Sequence, residues 1–126
     1  MKILIIDDEP LVRRSLMRAL ISRGHQVIES VDGIQGLEVW TKEQPELAFV
    51  DVLMPGLTGP QVIQNLDQKI REKTKIILMS AYTGGDQASP KLIENADLFL
   101  LKPFDDIFRV VEVAEGLMKE NSGKIN

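Results

Sequence analysis

The chain has 126 residues, 44% of them apolar and 27% charged, with a net charge of −4 and a pI near 5.0. That length suits one domain with a sizeable core, and the acidic balance argues against a nucleic-acid surface in this domain. With no cysteine, disulfides and thiolate metal sites are excluded.

Met1-Lys2 leads straight into the apolar run Ile3 to Ile6, which stops at Asp7-Asp8-Glu9. The run is too short for a signal peptide or a membrane span, so a cytoplasmic protein is expected. It reads as a first strand. Pro10 suits the first position of a helix, which runs to about Arg23 with Val12, Leu16, Ala19 and Leu20 on one face. Gly24 ends it. Gln26 to Ser30 reads as a second, weaker strand and Asp32-Gly33 as a turn. A helix to about Lys42 turns Leu37 and Trp40 inward, and Pro45 forbids its continuation. The run from Leu47 ends on Asp51 and is broken by Pro55-Gly56, which makes it a buried third strand with a carboxylate at its tip. Gly59-Pro60 starts a third helix with the face Ile63, Leu66 and Ile70. Lys75 to Ser80 and Asp97 to Leu101 read as strands four and five, the latter followed by Lys102-Pro103. The last helix starts near Phe104 and presents Ile107, Val111, Ala114 and Met118, while the polar residues 120–126 are expected to fray.

Strands alternating with about five helices imply a parallel sheet covered on both faces, a doubly wound α/β fold. Ligands of such sheets bind outside the carboxyl ends of the strands. Here those ends carry Asp7-Asp8, Asp51, Ser80 and Lys102. Each has an ordinary explanation when taken singly. Asp-Asp after a strand can cap a helix, and Asp before Pro-Gly can be turn chemistry. Their joint placement points instead to chemistry. Close carboxylates repel, and a divalent cation relieves that repulsion. All the offered ligands are hard oxygens, too few for a calcium cage, so magnesium is expected. Lys102 adds a positive charge and Ser80 a hydroxyl, and the set suits phosphoryl transfer to an Asp carboxylate.

The motifs Ile5-Ile6-Asp7-Asp8-Glu9-Pro10, Asp51 to Gly59, Ser80-Ala81 and Lys102-Pro103-Phe104 occur in an order and spacing that resembles a response-regulator receiver domain, from Ile3 to about Met118. The resemblance implies a five-stranded parallel sheet of order 2-1-3-4-5 in a flavodoxin-like three-layer sandwich. It matches Asp51 to the phosphoacceptor, and Asp7, Asp8 and the Leu53 carbonyl to the protein ligands of Mg2+ beside Asp51 itself. Lys102 matches the phosphate-binding lysine, with a cis bond to Pro103. Ser80 and Phe99 match the two switch positions. Leu53 and Tyr82 stand where the family tunes phosphoryl lifetime; neither can orient an attacking water as a carboxylate or amide does, so slow self-dephosphorylation is expected. The implied partners are a sensor histidine kinase or histidine phosphotransfer protein and a downstream protein target or output domain. A phosphorylation-dependent dimer is left open. The response would appear on the face formed by the helix before strand five, strand five and the last helix.

Residues 1–119 are expected to form the receiver domain and 120–126 a polar tail or the start of a linker. Thr83-Gly84-Gly85-Asp86 to Ser89-Pro90 departs from the usual start of a helix; a long mobile loop is expected, with a short helix from Pro90 to Ala96, against the alternative of an Asp86-capped helix kinked at Pro90. His25 reads as a surface residue far from the acids, Trp40 and the methionines as packing, and Arg13-Arg14 as a solvated face on the helix where a kinase-side partner docks in the family. The rival reading is a Mg2+-dependent phosphohydrolase with an aspartyl-phosphate intermediate. It would need an acid–base group two residues after Asp51, where Leu53 stands. Neither GxGxxG nor a P-loop is present for a nucleotide-binding module.

Overall fold

The structure, a computed structural model, describes residues 1–81 and 96–123. The expectations for Tyr82, the loop 83–90 and the helix after it lie outside the described residues. Five strands form one parallel sheet: β1 (Lys2–Ile6), β2 (Gln26–Ser30), β3 (Leu47–Asp51), β4 (Lys75–Ala81) and β5 (Leu98–Lys102), in the order β2-β1-β3-β4-β5. The described helices are α1 (Pro10–Ser22), α2 (Gly33–Glu43), α3 (Gly59–Asn65), α4 (Gln68–Lys73) and α5 (Ile107–Gly123). No described helix is long and apolar enough to cross a membrane.

The strands are continuous apolar runs because both sheet faces are covered. Alternation along each strand divides the core in two. Ile3, Ile5, Leu47, Phe49, Ile77 and Met79 meet Leu16, Ala19 and Leu20 of α1 and Val111, Ala114 and Met118 of α5. Leu4, Ile6, Ala48, Val50, Ile76 and Leu78 meet Trp40 of α2 and Val62, Ile63 and Leu66 around α3. The doubly wound, three-layer arrangement is as the sequence leads one to expect. Trp40 is fully buried, and its Nε1 donates to Thr74 Oγ1 at 3.1 Å, whose hydroxyl donates to the Pro45 carbonyl at 2.8 Å. Met54, Met79 and Met118 are core residues, whereas Met1 is half exposed.

Two boundaries differ from the sequence reading. The expected third helix is two short ones. Leu66 turns extended with its side chain still buried, and Asp67 caps a new turn by accepting from the Lys69 N–H at 2.9 Å. An Asx cap thus interrupts a face that reads as continuous in its apolar spacing. The last helix starts at Ile107 rather than near Phe104, because the Asp106 carboxylate accepts from the N–H groups of Phe108 and Arg109 and serves as its cap.

Candidate functional site

Parallel pairing aligns the carboxyl ends of β1, β3 and β5, so the residues that end or follow these strands meet at one edge. Asp51 is the last residue of β3; Asp7 and Asp8 follow β1; Lys102 ends β5. One carboxylate oxygen from each of Asp7, Asp8 and Asp51 lies within 4.8 Å of the others. Asp7 and Asp51 are buried and Asp8 is exposed. Lys102 Nζ is buried among carboxylates: 2.6 Å from Glu9 Oε1, 3.0 Å from Asp7 Oδ2 and 3.3 Å from Asp51 Oδ1. The peptide bond from Lys102 to Pro103 is cis.

Local chemistry fixes each of these groups. Asp7 Oδ1 accepts from the Glu9 N–H at 2.9 Å, and Arg13 reaches back from α1 to donate to the Asp7 carbonyl at 2.7 Å while its Nε meets Glu29 of β2. Behind Asp51, Thr58 and Gln61 form a capping box at the start of α3, and the Gly59 N–H donates to the Val52 carbonyl. Gly59 packs so closely that a Cβ there would stand 2.5 Å from the Asp51 carbonyl oxygen. Only glycine lets α3 begin directly beneath the end of β3.

The electrostatics follow from burial. Desolvation, with the charge of neighbouring Asp7, pushes the Asp51 carboxyl up to about 7. Burial likewise raises Asp7, against the hydrogen bonds from the Glu9 N–H and Lys102. For Lys102, burial works to lower the pKa, and the hydrogen bonds to Glu9 and Asp7 together with the Asp51 charge outweigh it, so the ammonium is held above its ordinary value. Three hard-oxygen ligands this close, one already strained towards protonation, fit a divalent cation of the magnesium kind. The fit rests on the donor set alone: among the described residues the cluster consists of carboxylates only.

Ser80 Oγ donates to the Ala81 carbonyl at 3.2 Å, and Ser80 pairs with Leu101 one register step before Lys102. Phe99 is half-buried and packs on the core face that holds Trp40. Leu53 lies in the loop two residues past Asp51 with 68% of it exposed. His25 is a correction. Its side chain is only 11% exposed, at the opposite end of the sheet, with Nε2 2.8 Å from Glu115 Oε2 of α5. It lies in the turn after α1, three residues past Ser22, where it meets Glu115 of α5. Arg13 is a second correction, since it is pinned between β1 and β2 rather than solvated; Arg14 is exposed as expected. The sequence reading assigned Glu9 and Arg13 no part in the site. The signal was present for Glu9, a third acid in the loop that follows β1.

Residues 3–112 match the response regulator receiver domain family. The sporulation initiation phosphotransferase F of Bacillus subtilis is 33% identical over 104 residues, covering 82% of this chain and 83% of that protein. A probable transcriptional regulator, ycf27 of Porphyridium aerugineum, is 36% identical over 103 residues, and response regulator MprA of Mycobacterium leprae 34% over 104. Each alignment covers 82% of this chain, but only 42% and 45% of those two proteins, so the chain spans under half the length of such regulators. Among solved structures, a CheY-like receiver domain from Methanospirillum hungatei superposes with a TM-score of 0.83 at 24% identity, covering 98% of both chains. Response regulator TrrA of Thermotoga maritima, solved in complex with Mg2+ and BeF, superposes at 0.75 with 29% identity, covering 92% of this chain and 97% of that one.

Proposed function

The chain belongs to the receiver domain family of two-component response regulators, and from that premise we propose that it is a phosphorylation-controlled signalling module whose acceptor is Asp51. The observation that carries this reading is the buried Asp51 carboxylate at a strand tip, with Lys102 3.3 Å away and Asp7 and Asp8 beside it. An oxygen of Asp51 attacks the phosphorus of a phosphohistidine, a new P–O bond forms as the P–N bond breaks, and the electron pair of that bond stays on the donor nitrogen. The donor is a sensor histidine kinase or a histidine phosphotransfer protein. Asp7, Asp8, Asp51 and the Leu53 carbonyl would hold Mg2+, which would supply positive charge near the phosphoryl oxygens. Lys102 supplies positive charge of its own, already oriented by its carboxylate partners. A carboxylate raised to about 7 is only partly ionised at neutral pH, so these cations also favour the nucleophilic form of Asp51.

The protein is a phosphoacceptor rather than a turnover enzyme. It assists its own phosphorylation and loses the group slowly, because the Leu53 side chain cannot orient water. The new charge draws Lys102 and Ser80 towards Asp51, and Phe99 follows on β5. The surface of β5 and α5 then presents altered contacts to a protein target or an output domain. A dimer formed only when phosphorylated is one such contact. Residues 1–119 are the module, and it works in the cytoplasm. Hydrogen exchange with Mg2+ and beryllofluoride, a phosphoryl mimic, tests the reading. Exchange in β5 and α5 should change in the native chain and not in Asp51→Asn; a change confined to the ends of β1 and β3 would contradict it.

A further inference from the structure

We propose that Glu9 is a built-in competitor for Lys102, an anion that a phosphoryl group on Asp51 must displace, and that it sets how readily the site accepts one. The inference rests on the reading of Asp51 as acceptor. A lysine ammonium has three N–H donors and no more. Here three carboxylates surround it, those of Glu9, Asp7 and Asp51, at 2.6, 3.0 and 3.3 Å. Phosphorylation ties up an Asp51 oxygen and cancels that carboxylate's charge, which leaves Glu9 and Asp7 on the ammonium as competitors of the phosphoryl oxygens; the ammonium turns fully to them only if one of these two gives way.

These carboxylates are not equally free to leave. Asp7 and Asp51 are buried at strand ends, and Asp7 is further held by the Glu9 N–H. Glu9 makes the shortest contact of the three, yet its side chain is 58% exposed and hangs on a flexible two-carbon stem. It stands at the N-cap position of α1 without making a side-chain cap hydrogen bond, so the helix start does not depend on its carboxylate. Water can take up the displaced Glu9 at little cost, whereas Asp7, fully buried, has no such exit. Glu9 is thus a positioning residue: it holds the ammonium at the mouth of the site and yields it to a stronger, doubly charged anion.

The full-length chain with Mg2+ provides the test. Beryllofluoride affinity, and the rate of Asp51 phosphorylation against acetyl phosphate concentration, are compared for the native chain, Glu9→Ala and Glu9→Gln. Both variants should bind the mimic about three- to fivefold more tightly, as the loss of one partly exposed ion pair would give. Their half-saturating donor concentration should fall by the same factor with the maximal rate little changed. Asp105→Asn, which removes a nearby charge that does not pair with Lys102, serves as control and should not reproduce the gain. Unchanged or weaker mimic binding in the Glu9 variants would overturn the proposal, as would an equal gain in Asp105→Asn or a lowered maximal rate. If the native chain accepts no phosphoryl group on Asp51 at any donor concentration, the underlying reading fails as well. If it is phosphorylated normally and Glu9→Ala behaves identically, the role of Glu9 alone is refuted.

Discussion

At Asp51 a carboxylate with 4% of its surface exposed is held beside a second buried carboxylate. Its folded pKa, about 7, lies above the ordinary 3.8, so the folded protein holds this proton more tightly than the unfolded chain does. Stability from this group is therefore fully present below pH 4 and is lost as pH rises to about 7. In chelator, Asp51→Asn should stabilise the protein by roughly 2 kcal/mol at pH 8, an advantage that fades towards pH 4. Urea unfolding at the two pH values measures it; an equal effect at both would mean that Asp51 ionisation carries no such cost. Leu53 allows a second prediction at this scale. Its exposed apolar side chain stands two residues past Asp51, so Leu53→Asn should shorten the life of the phosphoryl group by giving an attacking water a hydrogen-bond partner. Loss of the phosphoryl signal after donor removal gives the rate, and an unaltered half-life would remove Leu53 from that role.

At the scale of elements, what was legible in the sequence followed from local pattern. Apolar runs ending abruptly on Asp7, Asp51 and Lys102 located the strands and their tips, because a buried parallel strand has no polar alternation to blur it. Features made by partners distant in the chain were not legible. The break at Leu66-Asp67 depends on a carboxylate choosing a backbone N–H over solvent. His25 and Arg23 lie at the turn after α1, yet their partner Glu115 is 90 residues away from His25 on α5. That ion cluster fastens α1 and the start of β2 to α5. The Glu115 carboxyl is held near 2, first by the hydrogen bond that it accepts from Arg23 and then by the one that it accepts from His25. Its folded pKa lies below the ordinary 4.5, so its contribution is present above that value and is lost as pH falls towards 2. Glu115→Gln should cost about 1 kcal/mol at pH 6, allowing for partial solvent screening, and progressively less below pH 4. Unfolding free energies at pH 6 and pH 3 decide it; an undiminished cost at pH 3 would assign the effect to packing instead.

Across the whole molecule, the sheet order brings residues from positions 7, 8, 51 and 102 to one edge, while both faces are filled by helices. Alternating elements alone implied a parallel sheet; the order 2-1-3-4-5 came from resemblance, since spacing does not say which strand lies beside which. The ammonium of Lys102, shared by three carboxylates, is the feature that neither pattern nor resemblance disclosed. Asp7 and Asp51 are both buried beside Lys102, but both Asp7 oxygens are already engaged, by the Glu9 N–H and by Lys102, and we therefore propose that the phosphoryl group is carried on Asp51. Borohydride reduction of the donor-treated protein, followed by peptide mapping, tests this most directly, because it marks the residue that bears the acyl phosphate. The account predicts reduction at Asp51 in the presence of Mg2+; a mark on Asp7, Asp8 or Glu9 instead, or none at all, would contradict it.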